Sequence, residues 1–162
     1  MTVTHVHKDP DALTMTVTAE FDAPVERVWK LWDDPRLLER WWGPPTYPAT
    51  VVDHDLSPGG TVTYYMTGPE GDQHRGWWRV LRVGAPRLLE VEDGFADEAG
   101  NPNLDMPTTR MHVSLSERGD GGTRVEIRST FPSLAQMEQL IQMGMEEGLR
   151  EAMSQMDALV AA

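Results

Sequence analysis

The residues best suited to chemistry are five histidines and a scatter of carboxylates. His54 sits between Asp53 and Asp55, and His74 and His112 fall in strand-like stretches, so an imidazole beside a carboxylate could serve as a general base. Neighbours on a strand point to opposite faces, however, and solvent-exposed strand histidines are the simpler reading. His5 and His7 share one face of an extended segment, but a closed metal site takes about four ligands and nothing nearby supplies the rest. No metal or cofactor is expected. The absence of cysteine excludes disulfides, thiolate metal sites and cysteine nucleophiles. Gly59-Gly60 belongs to a turn, and neither a phosphate-cradling loop nor a nucleophile elbow is present. Catalytic residues stay unassigned, and a role other than catalysis is the expectation.

What remains is apolar chemistry. Trp41 and Trp42 stand beside the breaker Gly43-Pro44-Pro45, and ten methionines are many for 162 residues. Methionine is flexible and polarizable, so a methionine-rich wall adapts to varied apolar shapes, although ordinary core filling uses the same property. Two adjacent helical residues differ by about 100° in direction, so Trp41 and Trp42 cannot both face one pocket in the same way. A tryptophan can bury on the order of 200 Å², enough to anchor a short helix over a cavity mouth.

The elements that would position these residues follow from periodicity. Thr14 to Phe21 alternates Met15, Val17, Ala19 and Phe21 against polar residues, which is a half-buried strand. Val25, Val28, Trp29 and Trp32 recur at helical spacing after Pro24, and Asp34-Pro35 starts a second short helix that Gly43 and the prolines end. From Ala49 the chain reads as strands and turns: Ala49–Leu56, Thr61–Thr67, His74–Val83, Arg87–Asp93, Arg110–Ser116 and Thr123–Phe131, with an irregular acidic loop over 94–107. Ser133 with Gln136 has the spacing of a capping box. Leu134, Met137, Ile141, Met145, Leu149, Met153, Met156 and Val160 then mark one face of a C-terminal helix of about seven turns, with Gly144 and Gly148 inside it.

Strands in meander order with segregated helices make an α+β domain, and the long amphipathic helix must lie on the sheet. The length fits one domain. Residues 1–13 read as a flexible N-terminal arm or a short edge strand, and 14–162 as a single domain. Fourteen Lys+Arg against 26 Asp+Glu give a formal charge of −12, which repels nucleic acid and anionic membranes. With no apolar leader and no run near the roughly 18 apolar residues of a span, a cytoplasmic protein is expected. The oligomeric state is open, a homodimer included.

Three segments in order, FDAPVERVWKLWDDPRLLERWWGPP, DLSPGGTVTYYM and GGTRVEIRSTFPSLAQMEQLIQMGMEEGLREAM, resemble the AHSA-type family of the helix-grip superfamily, which also holds birch pollen allergen and START lipid-transfer domains. The resemblance spans about residues 14 to 160. It implies a curved antiparallel sheet of about seven strands wrapped round the C-terminal helix, with two short helices after the first strand closing one end of a cavity. Superfamily members bind sterols, lipids or polyketides, and some act as cyclases or dehydratases. The eukaryotic chaperone activator has a further N-terminal domain that engages its partner, for which this chain is expected to lack room. Relatives often carry tryptophan at the position of Met145, so the wall here is expected to be softer and roomier.

The leading expectation is therefore binding of a small, largely apolar molecule in an internal cavity. A cavity enzyme of polyketide cyclase or dehydratase type, or a protein-partner module related to chaperone activators, are the alternatives. The expected lining is Trp41 and Trp42 from the second helix and Val62, Tyr64, Met66, Trp78, Leu89, Val91, Met111, Val113 and Ile127 from the sheet. Met137, Ile141, Met145 and Leu149 complete it from the last helix. The face taken by Trp78 is ambiguous, since Trp77 competes for it.

Overall fold

The computed structural model describes residues 3–160. Met1, Thr2, Ala161 and Ala162, which fall within the arm and domain spans above, lie outside the described residues. Strands β1 (Val3–Asp9) and β2 (Thr14–Phe21) are followed by helices α1 (Val25–Asp33) and α2 (Pro35–Trp41). Strands β3 (Ala49–His54), β4 (Thr61–Thr67), β5 (Gln73–Gly84), β6 (Leu88–Ala96), β7 (Thr109–Glu117) and β8 (Thr123–Thr130) come next. Helices α3 (Leu134–Gln142), α4 (Met145–Met153) and α5 (Met156–Val160) end the chain. All strands join one antiparallel sheet in the order β1-β2-β8-β7-β6-β5-β4-β3.

The α+β helix-grip architecture stands, with two differences from the sequence reading. The sheet has eight strands because Val3–Asp9 pairs with β2, from Val3 opposite Ala19 to Asp9 opposite Thr14. Residues 3–9 are thus a paired edge strand, the second of the two readings given for 1–13, and the flexible arm is not what these residues form. Their ladder satisfies the backbone of β2 on its outer side, where a bare edge would be open to pairing with another chain. Lys8 Nζ also donates to Glu146 Oε1 at 2.6 Å, tying this strand to α4.

The second difference is in the C-terminal helix, which is broken into pieces. Gly144 adopts φ 93°, a left-handed conformation that ends α3, with its N–H donating to Ile141 O at 3.0 Å. An L side chain resists that conformation, so glycine is the residue that permits the joint. The helical face survives the break: Met137, Met153, Met156 and Val160 are buried. Leu134, at the start of the predicted stripe, is exposed, and Leu140 is buried in its place. The capping box is half formed, because Ser133 Oγ accepts from the Gln136 N–H at 3.2 Å while Gln136 Oε1 has no partner.

Local signals account for the short helices. Asp34 Oδ1 accepts from the Arg36 N–H at 2.9 Å, and Pro35 needs no donor in the first turn. Val25, Val28, Trp29, Leu31 and Trp32 form the buried stripe of α1. The joint between α4 and α5 is held to the end of α2 by Gln155, whose Nε2 donates to Gly43 O at 2.8 Å. The core runs continuously from Met15 and Val17 on β2, through Val113 and Ile127 on the central strands, to Met153 and Met156 on the helices.

Candidate functional site

The inward face of the sheet is packed solid at one end and hollow at the other. The hollow is a half-open cavity of about 300 Å³ between the concave face of the sheet and the α3–α4 joint. Tyr64 and Met66 reach it from β4, His74 and Gly76 from β5, Asp93 and Phe95 from β6, Thr109 and Met111 from β7, and Ser129 from β8. Each pair is two residues apart, as the alternation of a strand requires. Leu140, Met143, Gly144, Met145, Gly148 and Leu149 form the helical wall. Met143, at 53% exposure, stands at its solvent side.

The two tryptophans divide as helical geometry demands. Trp41 is fully buried in the core, with Nε1 donating to Leu31 O at 2.8 Å. Trp42 turns to the cavity, edge-on to Trp41 at 5.5 Å, to Trp78 at 4.9 Å and to Tyr64 at 5.9 Å. Such perpendicular contacts suit the aromatic quadrupole. The Tyr64 ring lies over Gly76, where an added Cβ would come within 2.3 Å of the phenol oxygen. A glycine is therefore needed for the ring to close this end of the cavity. The indole N–H groups of Trp42 and Trp78 find no acceptor among the described residues.

Of the expected lining, Trp42, Tyr64, Met66, Met111, Met145 and Leu149 reach the cavity. Trp41, Val62, Trp78, Leu89, Val91, Val113, Ile127 and Met137 face inward but lie in the solid part of the core, and Ile141 is half-buried against that core. Strand alternation puts Val62, Leu89, Val91, Val113 and Ile127 inside and helical spacing puts Trp41, Met137 and Ile141 there, but at that end the interior is filled, so they contact protein and leave no void. Trp78 takes the inner face, while Trp77 lies outside and donates Nε1 to Phe95 O at 3.0 Å.

The polar lining was not foreseen. Asp93 Oδ1 accepts a 2.5 Å hydrogen bond from the Thr109 hydroxyl, and Ser129 and Tyr64 share the same cavity. Burial pushes the Asp93 carboxyl up to about 6, against the Thr109 hydrogen bond, which favours the anion; nearby Glu92 raises it further. Tyr64 is also pushed up, first by burial and then by the negative charge of Asp93, so it stays a neutral phenol. A signal for these residues was present in the strand alternation. Asp93 continues the inward series Leu89, Val91; Thr109 precedes Met111 and Val113; and Ser129 follows Val125 and Ile127.

The histidines are dispersed. His54 is half-buried, not freely exposed, and its Nε2 lies 2.9 Å from Trp32 O. His112 is part-buried, and its pKa is lowered by burial and by Arg128. His74 is exposed at the cavity edge with Nε2 3.0 Å from Asp72 Oδ2, which also accepts from the Tyr47 hydroxyl at 3.2 Å. His5 and His7 stack on the outer strand with centroids 6.4 Å apart, and no group of three or more potential metal ligands gathers among the described residues.

A curved antiparallel sheet gripping C-terminal helices, with a cavity between them, defines a START-type helix-grip domain. Residues 22–161 match the family described as "Activator of Hsp90 ATPase homolog 1-like protein", and the chain belongs to that family, AHSA1. A solution structure of a protein from Arthrobacter aurescens is 52% identical with a TM-score of 0.94, covering 99% of this chain and 92% of that one. A crystal structure of a protein from Mycobacterium smegmatis is 50% identical with a TM-score of 0.89, covering 97% and 96%. The AHSA1 protein of Silicibacter pomeroyi, at 19% identity and a TM-score of 0.73 over 91% and 97% of the chains, is alike in fold. No curated protein matches. No helix among the described residues is long and apolar enough to cross a membrane.

Proposed function

We propose that the protein binds one small, largely apolar molecule in this cavity, with Asp93, Thr109 and Tyr64 orienting its polar end. The observation that carries the reading is the hollow of about 300 Å³ walled by methionine, leucine and aromatic side chains, with polar groups gathered on the sheet side. Apolar walls supply affinity in such sites, and a few placed polar groups supply selectivity. The methionines Met66, Met111 and Met145 suit a lining that adapts to ligand shape.

The test is quenching or shifting of tryptophan fluorescence by a panel of neutral apolar molecules, read through Trp42. Met145→Trp narrows the same wall and should abolish the response while the fold is kept. An unresponsive wild-type protein across the panel would overturn the reading.

A cyclase or dehydratase reading draws support from Asp93, an ionisable group on the inner wall with a raised pKa. It requires turnover that Asp93→Asn removes without loss of ligand binding. A chaperone-partner reading rests on family membership, and requires a complex that survives Met145→Trp.

A further inference from the structure

We propose that the cavity selects small organic amines, bound as ammonium ions with the nitrogen on the Asp93 carboxylate and the apolar body along the methionine and leucine wall. The proposal rests on the cavity-binding reading and deepens it by naming the ligand class.

The argument begins with what Asp93 lacks. Its Oδ1 is held by Thr109, a neutral donor, and the charge it feels is that of Glu92, another acid. The cations of neighbouring strands are engaged elsewhere. Arg75 borders the cavity, but its guanidinium lies 5.0 Å from the Tyr65 ring centroid and its Nη2 donates to Gln73 Oε1 at 3.3 Å, while Arg79 Nη2 is 2.9 Å from Glu92 Oε1. Arg110 follows Thr109 on β7 and so points outward. On the cavity side, Tyr64 is a neutral phenol, His74 sits at the edge paired with Asp72, and the helical wall presents Leu140, Met143, Met145 and Leu149 without an ionisable group. Asp93 is half-buried at the cavity wall, and a carboxylate partly removed from water without a counterion is costly, so a cation that reaches it gains.

The surroundings favour an organic cation over a hydrated metal ion. Trp42, Tyr64 and Phe95 bring aromatic rings to the same cavity, and ring faces attract alkylammonium groups. An apolar wall solvates a hydrocarbon body but offers no oxygen shell to a hard metal ion. The formal charge of −12 draws cations towards the molecule and opposes entry of fatty-acid anions.

The experiment compares octylamine, octanol and octanoate, which share a hydrocarbon body, by calorimetry and tryptophan quenching at about pH 7.5. Octylamine is expected to bind about tenfold or more tighter than octanol, with octanoate weakest, as a desolvated charge-assisted pair implies. In Asp93→Asn the amine preference should vanish while octanol binding persists. Lowering the pH below about 6 should weaken the preference progressively in the wild type as Asp93 takes up its own proton, with the amine itself holding the carboxylate ionised to somewhat lower pH. Octanol or octanoate binding as tightly as the amine, or a preference that survives Asp93→Asn, would overturn this inference and leave cavity binding standing. If none of the three binds, both readings fall.

Discussion

Asp93 and Thr109 are paired across β6 and β7, and the threonine hydroxyl donates 2.5 Å to the carboxylate on the inner face of the sheet. This places an ionisable group on a wall that is otherwise largely apolar and lets a neutral hydroxyl be its hydrogen-bond partner. Because burial outweighs the hydrogen bond, the folded protein holds the Asp93 proton up to about pH 6, while the unfolded chain releases it near 4. The folded state then binds more protons between those values, so this group's contribution to stability falls as pH rises through the window and is level above it. The expected loss is about 2 to 3 kcal/mol. Chemical denaturation at a series of pH values should show it as a slope in the wild type that Asp93→Asn lacks. The comparison with the variant matters because Asp72, Asp120 and Glu146 have lowered pKa values and bring the opposite slope at lower pH.

Removing the threonine hydroxyl takes away a donor that favours the anion. Thr109→Val should move the Asp93 titration above about 6, read by carbon NMR of the labelled carboxyl. An unmoved or lowered midpoint would contradict the assigned balance of burial and hydrogen bonding.

Gly148 lines the cavity inside α4, and a Cβ added there meets no atom within 4 Å. Gly148→Ala should therefore raise stability by up to about 1 kcal/mol, since alanine is the better helix former. Gly148→Phe should occupy the hollow and block ligand uptake without unfolding the chain. Thermal melts with and without a neutral probe distinguish this from simple destabilisation.

The tryptophan pair should respond asymmetrically. Trp41→Ala opens the sealed core and removes the bond to Leu31 O, at a cost of about 3 to 5 kcal/mol. Trp42→Phe should cost less than about 1.5 kcal/mol and should abolish most of the ligand-induced fluorescence change. Equal destabilisation of the two variants would contradict the division between core and cavity.

Gly76 makes room for Tyr64, so Gly76→Ala drives a methyl group into the phenol ring. Stability should drop by about 1 to 3 kcal/mol, the usual cost of overpacking. The displaced Tyr64 should also change the cavity, seen as altered probe affinity in the fraction that folds.

Much of the fold was legible because its signals are local. Alternation of Met15, Val17, Ala19 and Phe21 marks β2, and Asp34-Pro35 marks the start of α2, since side-chain direction and capping depend on a few neighbouring dihedrals. The break at Gly144 was hidden because the apolar stripe keeps its spacing across the joint. Val3 to Asp9 was equally hard to place, because an edge strand carries little apolar signal and is made by pairing with β2.

The candidate site divides along the same line. The sequence by itself determined most of the inward apolar side chains; Asp93, Thr109 and Ser129 continue those series in the structure but carry no further signal that sets them apart, and the face of Trp78 stays open between it and Trp77. Only the tertiary structure decided that Leu89, Val91 and Ile127 meet packed core while Tyr64, Met111 and Asp93 border a void. Facing is a property of the backbone with a period of two residues, whereas a void depends on how distant helices and strands fill a shared volume.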